Sequence, residues 1–228
     1  MPDTVFFYAA GLGTRMRPLT DARPKPLIEV VGKSLLDHAI DLANDAKIER
    51  RAINVHYLAG QIEAHPSVAG MTILDERNSL LETGGGLRKA AGVLGDAPLF
   101  TMNTDAIWRG ANPFDALARR WNPQEMDALL LLVPTGNAVG YKGSGDFELD
   151  TENRLSRGSG YVYSGCQIIN PNRLREIDEV KFSTNLYWDL LAESGRLFGT
   201  VYDGQWCDVG QPESIALAEA MLAGSGNV

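Results

Sequence analysis

Three features of the sequence predict an α/β fold, a mostly parallel central sheet covered on both faces with a small antiparallel insertion. Short apolar runs alternate with amphipathic segments up to residue 133, the connections between them are short, and the texture changes once, at Gly136, before the alternation resumes. Parallel neighbours need a crossover over one face of the sheet, so strand–helix alternation with short links implies three layers.

The elements follow in order. Thr4–Ala10 is an almost continuous apolar run, the pattern of a strand buried on both faces, and it leads straight into Gly11-Leu12-Gly13. After a proline-rich stretch, Ser34-Leu35-Leu36-Asp37 reads as a capping box, with Leu36, Ala39, Ile40 and Ala43 behind it at helical spacing. Arg51–Val55, Met71–Leu74, Leu99–Asn103 and Ala128–Val133 read as strands, and Leu58–Ala64, Leu87–Val93 and Phe114–Trp121 as the helices between them. From Gly136 to about Ile169, Gly, Ser and Asn separate short alternating runs such as Phe147–Leu149 and Tyr161–Ile169, which predicts an antiparallel hairpin insertion. Helices at Asn185–Glu193 and Pro212–Leu222 flank a strand near Leu197–Tyr202. The expected organisation is one domain over residues 1–223, with the insertion at about 136–169 and a frayed tail at 224–228.

A length of 228 residues suits one large domain, and 44% apolar residues suffice for a sizeable core. The 21 Lys and Arg against 29 Asp and Glu leave a net charge of −8, which argues against a nucleic acid or an anionic membrane as partner. Any anionic ligand must be met by locally gathered cations. Cys166 and Cys207 are too few for a disulfide framework or a four-ligand zinc site, even with His38, His56 and His65, and are expected as reduced packing residues. His56 and His65 are expected at helix ends or on the surface. Asp3 stands where a secretory signal carries Lys or Arg, and no 18-residue apolar stretch occurs, so the expected compartment is the cytoplasm.

In an open parallel sheet, ligands bind beyond the carboxyl ends of the strands, so residues that follow apolar runs are the informative ones. The segment Ala9-Ala10-Gly11-Leu12-Gly13-Thr14-Arg15-Met16-Arg17 follows the first strand. Met16 occupies the third-glycine position of a dinucleotide fingerprint, and the Gly-Lys-Ser/Thr of a P-loop is missing. What remains is bare backbone that a ligand can approach, followed by two arginines, a combination suited to a polyphosphate. Arg17 reads equally as an ion-pair residue bracing the loop. Pro24-Lys25-Pro26 holds a lysine on stiffened backbone, which a solvated surface lysine does not require.

The run AAGLGTRMRPLTDARPKPLIEVVGKSLL, Ala9 to Leu36, resembles the signature of the nucleoside-triphosphate-dependent sugar-1-phosphate nucleotidyltransferases. The resemblance implies a Rossmann-like nucleotidyltransferase domain in which a sugar 1-phosphate attacks the α-phosphate of a nucleoside triphosphate and pyrophosphate leaves with the help of Mg²⁺. On this reading Ala10, Gly11, Gly13, Thr14, Arg15 and Lys25 bind the nucleotide, with Arg15, Lys25 and Asp105 catalytic. Such a displacement brings two anions together, and Mg²⁺ typically takes one or two protein carboxylates plus phosphate oxygens. Asp105, after Leu99–Asn103 and Thr104, and Asp208, between Trp206-Cys207 and Val209-Gly210, stand at strand ends and are similar to the family's metal-binding aspartates. Either also reads as a cap or turn residue.

Glu82-Thr83-Gly84-Gly85-Gly86 precedes a helical run, and Thr83, Gly84 and Gly85 are expected to let a base lie against backbone N–H and C=O groups; the alternative is a capped helix with a flexible entry. The run LETGGG resembles that of N-acetylmuramate α-1-phosphate uridylyltransferases, which favours UTP and an N-acetylmuramate 1-phosphate. A guanylyl- or thymidylyltransferase acting on mannose, heptose or glucose 1-phosphate is the alternative within the class, and a non-catalytic nucleotide-sugar binding protein the alternative outside it. The Glu-Lys-Pro element that many relatives use to hold the sugar is absent, which leaves Asp146, Ser164 and Gly165 as the expected sugar-binding residues, the last two shaping a pocket floor. Asn54 reads equally as a rim residue or a buried structural amide. A monomer or small homo-oligomer is expected.

Overall fold

The computed structural model describes residues 1–224. In chain order the elements are β1 (Thr4–Tyr8), β2 (Glu29–Val30), β3 (Lys33–Ser34), α1 (Leu35–Asp45), β4 (Arg50–Val55), α2 (Ala59–Glu63), β5 (Thr72–Asp75), α3 (Glu82–Leu94), β6 (Leu99–Asn103) and β7 (Ala106–Arg109). There follow α4 (Pro113–Ala118), β8 (Ala128–Pro134), β9 (Ala138–Val139), β10 (Phe147–Leu149), β11 (Leu155–Arg157), β12 (Tyr161–Ile169), α5 (Thr184–Glu193), β13 (Leu197–Val201), β14 (Gln205–Asp208) and α6 (Glu213–Leu222). Among the described residues no helix is long and apolar enough to cross a membrane.

The central sheet runs β5-β4-β1-β6-β12-β8-β13. β1 pairs in parallel with β4 and β6, β4 with β5, and β8 with β13, while β12 is antiparallel to both β6 and β8. The hairpin of the insertion is β10 against β11, which meets β12 only at Phe147↔Tyr161; the run Tyr161–Ile169, expected within the insertion, is instead a strand of the central sheet between β6 and β8. Alternation along β1 divides the core. Val5 and Phe7 face one side with Leu36, Ile62 and Phe114 from α1, α2 and α4, and Phe6 faces the other with Leu87 and Leu191 from α3 and α5. Burial on both faces is why the strands read as unbroken apolar runs.

Two expectations about element ends change. β1 stops at Tyr8, because the N–H groups of Ala9 and Ala10 leave the ladder and are taken by the Asn54 Oδ1, at 2.7 and 3.2 Å. α3 begins at Glu82, so the glycine triplet lies inside the helix rather than before it. A second sheet, β7-β14-β9, was not expected as such. It packs with α6 around a third core of Met16, Val30, Ile107 and Val209. Of the expected frayed tail only Gly224 falls within the described residues.

Candidate active site

The loop after β1 owes its shape to two contacts. Gly13 adopts a left-handed conformation, φ 63°, and Thr20 Oγ1 donates to its carbonyl at 2.8 Å. A Cβ on Gly13 would stand 3.0 Å from the Thr20 methyl and 3.1 Å from the Lys25 Cβ, besides being strained at that φ. Met16 is fully buried and anchors the loop, which leaves Arg15 beside it in solvent. Arg17 pairs with Asp21 at 3.4 Å, so its bracing reading is the one the geometry favours.

Lys25 begins a 3₁₀ turn, Lys25–Leu27, entered through the extended backbone of Pro24. Its stem is largely buried, and its Nζ donates to Asp105 Oδ2 at 2.8 Å. Asp105 is carried past the end of β6 by Thr104, whose hydroxyl donates to the Tyr8 carbonyl at 2.8 Å. Asp208 arrives from more than a hundred residues away because β14 pairs with β7, matching Asp208 to Ala106, and Val209 N donates to the Asp105 carbonyl at 2.9 Å. Burial and then the neighbouring Asp105 charge push the Asp208 carboxyl above the usual range, while Lys25 and Arg15 oppose that shift. Two carboxylates, an ammonium and a guanidinium thus influence one another at the carboxyl ends of the strands.

A cavity of about 380 Å³ opens there, lined by Ala10, Gly11, Lys25, Asn54, Thr83 and Asp105 among others. Gly13, Thr14 and Arg15 stand on the adjoining loop rather than in its wall. A second cavity of about 520 Å³ shares Tyr8, Thr83, Asn103 and Ser183 with the first and continues to Asp146, Arg157 and Trp188.

Asn54 satisfies both of its readings. It lines the first cavity, and it is buried with Oδ1 on Ala9 and Ala10 and Nδ2 on Glu76 Oε1 at 2.9 Å. Glu76 is 2% exposed and its other oxygen accepts from Leu81 N at 3.0 Å, so one buried carboxylate ties the strand-end loop to the start of α3. The sequence carries no mark of this, since a Glu after a strand usually faces water. His56 Nδ1 bonds the Glu76 carbonyl at 2.7 Å, and His65 stands 3.5 Å from Asp37.

Gly84 and Gly85 lie outside the lining of the first cavity and have a packing role. Their N–H groups both go to the Phe182 carbonyl, at 2.9 and 3.1 Å, so neither is left to read a base. A Cβ on Gly84 would fall 2.3 Å from the Phe182 ring, and one on Gly85 2.6 Å from the Val180 carbonyl. These glycines let α3 seat against residues 180–182. Thr83 does reach both cavities, although its Oγ1 already accepts from Thr184 N at 2.9 Å.

Asp146 lines the second cavity, with Oδ2 accepting from Tyr163 N at 2.9 Å. Ser164 is not a lining residue: it sits in an irregularity of β12 between Tyr163 and Gln167, buried, with its hydroxyl donating to the Leu131 carbonyl at 2.7 Å. Gly165, φ 86°, acts one step removed, because a Cβ there would press on Asn103 at 2.9 Å, and Asn103 lines both cavities. Arg157, Gln167 and Trp188 were missed, since nothing local to an Arg at the end of a short strand marks it as facing a pocket.

Residues 6–142 match the MobA-like NTP transferase domain, and the chain belongs to that family of nucleotidyltransferases. Among curated relatives, the N-acetylmuramate alpha-1-phosphate uridylyltransferase of Caulobacter vibrioides is 39% identical over 236 aligned positions, covering 97% of this chain and 98% of the relative. The protein of the same name from Neisseria meningitidis serogroup B is 32% identical, covering 95% and 96%. A solved structure of UDP-glucose pyrophosphorylase complexed with UDP-glucose superposes with a TM-score of 0.81 over 99% of this chain and all of that one, at 15% identity, which establishes the shared Rossmann-like fold.

Proposed function

We propose that the chain transfers UMP from UTP to N-acetylmuramate 1-phosphate and releases pyrophosphate, as a cytoplasmic enzyme salvaging cell-wall amino sugar. The observation that carries the chemistry is the convergence of Lys25, Asp105 and Asp208 beside the cavity edged by Ala10 and Gly11. The name and full-length coverage of the two curated relatives support the substrate.

The sugar phosphate is itself the nucleophile: its oxygen forms the new bond to the α-phosphorus as the bond to pyrophosphate breaks. Arg15 and Lys25 offset the charge of the two anions, and the pre-shaped Gly11–Arg15 loop offers backbone N–H groups to the phosphates. Asp105 and Asp208 supply hard oxygen donors, and of the two causes that raise the Asp208 carboxyl, burial and then the Asp105 charge, a divalent cation would offset the second. Among the described residues no group of three or more ligating side chains gathers, which suits Mg²⁺ held by this pair plus ligand oxygens and water. When bound, Mg²⁺ would screen the triphosphate and polarise its α-phosphate.

Pyrophosphate release measured with each nucleoside triphosphate against a panel of sugar 1-phosphates tests the reading. UTP with N-acetylmuramate 1-phosphate should give the highest kcat/KM, and no turnover of that pair would overturn the assignment. Asp105→Asn should lower kcat more than about 100-fold while sparing the fold. Near-normal activity in that variant would remove Asp105 from the metal site.

A further inference from the structure

The second cavity is built to receive a polar ligand. Its wall is largely polar, with Asn103, Asp146, Arg157, Gln167 and Asn185 beside the rings of Tyr163 and Trp188. Its floor is fixed by Trp188 Nε1 donating to Gln167 Oε1 at 2.9 Å and Gln167 Nε2 donating to Thr101 Oγ1 at 3.1 Å.

Among the lining residues Arg157 is the one cation. Its guanidinium lies over the Phe147 ring at 4.8 Å and the Trp188 ring at 5.7 Å. Nε and Nη2 donate to Asp189 Oδ1 at 2.9 and 2.8 Å, while Nη1 and Nη2 donate to Asn185, at 3.1 Å to Oδ1 and 3.2 Å to the carbonyl. Those bonds use four of the five N–H groups a guanidinium has and leave one on Nη1. The group is therefore held in one orientation, against two rings and one carboxylate, with a donor still to give. A surface arginine serving only as a counter-ion to Asp189 would not need to be stacked on two rings in a cavity wall.

We propose that Arg157 is a specificity-determining residue that recognises a carboxylate on the transferred sugar. The inference rests on the reading that this sugar is an N-acetylmuramate, which differs from N-acetylglucosamine by a lactyl ether at O3 that ends in a carboxylate. Asp146, which also lines the cavity, has one oxygen on Tyr163 N and would repel a second carboxylate, so the lining group able to attract one is Arg157. Asp189 lowers the net charge there but presets the fork, so little rotamer freedom is lost on binding.

The test compares two sugars that share every group but the lactyl ether. Turnover of N-acetylmuramate 1-phosphate and N-acetylglucosamine 1-phosphate is measured in the unsubstituted protein, Arg157→Gln and Arg157→Lys, with an inhibition constant in place of kcat/KM for a sugar not turned over. Arg157→Gln should lose about 10- to 100-fold more on the carboxylate-bearing sugar than on the other, with Arg157→Lys between. The lactyl methyl ester given to the unsubstituted protein should show a matching loss, and this arm involves no variant whose folding could intervene. Equal losses on both sugars, or full activity on the ester, would overturn the role of Arg157 while leaving the uridylyltransferase reading intact. An unsubstituted protein with no preference for the carboxylate-bearing sugar would overturn that reading and this assignment together.

Discussion

Asp208 illustrates how single residues set the behaviour of the site. Its carboxyl titrates above its ordinary value because burial and the Asp105 charge both disfavour ionisation. The native state therefore holds a proton that the unfolded state has released, so the stability this group contributes is present at low pH and lost as pH rises through its folded value. Metal-free protein should show that loss as pH rises from the ordinary carboxylate value to the raised folded one, followed as melting temperature against pH, and Asp208→Asn should lack it and melt higher at neutral pH. The same variant should no longer gain stability from added Mg²⁺. Asp37 has the opposite sign. Burial would raise its carboxyl, but hydrogen bonds from Ser67 and Ser34 outweigh it and hold the group below its ordinary value, so the stability it lends is lost only as pH falls through that lowered value. Of these two residues Asp37 was legible in sequence, as part of a capping box of which the N-cap half forms, with Ser34 Oγ accepting from Asp37 N at 3.0 Å, while the Asp37 carboxylate takes the Ser34 hydroxyl instead of its backbone N–H. Asp208 was legible as a strand-end aspartate and its pairing with Asp105 only through the family resemblance, because the β7–β14 pairing that joins them leaves no local trace.

At the scale of elements, α3 shows glycine used for approach. Gly84 stands where a Cβ would fall 2.3 Å from the Phe182 ring and 2.9 Å from its carbonyl, whereas Gly92, later in the same helix, has nothing within 4 Å. Gly84→Ala should accordingly cost about 1–3 kcal/mol by overpacking, and Gly92→Ala should be neutral or stabilising by up to about 1 kcal/mol, both measured by denaturant unfolding. Equal effects would mean that helix propensity rather than packing governs the triplet. The sequence marked these glycines as special, yet close approach to a ligand and close approach to another part of the chain demand the same residue. Only the position of Phe182 separates the two.

For the whole molecule, the site lies where two sheets meet. The central sheet brings β1 and β6 side by side, and the β7-β14-β9 sheet delivers Asp208 to the end of β6. A ligand spanning both bodies should stabilise the fold as a unit. UTP with Mg²⁺ at about 100 times its Kd should raise stability by about 2.7 kcal/mol, read as a shift in melting temperature, and Lys25→Ala should lose most of the shift at the same concentration. A shift unchanged in Lys25→Ala would place the triphosphate elsewhere.

What the sequence determined by itself is whatever acts over a few residues. Apolar periodicity placed strands buried on both faces, Ser34 and Asp37 capped α1, and Gly13 and the prolines around Lys25 shaped the loops. Tertiary structure alone decided which of these meet. It set the Lys25–Asp105 contact, the buried Glu76 that ties Asn54 to α3, and the place of Arg157 at a cavity wall. The reason is physical: a local pattern constrains backbone angles and burial, but the distance between two strand ends depends on sheet order and register, which emerge only when the whole core packs at once.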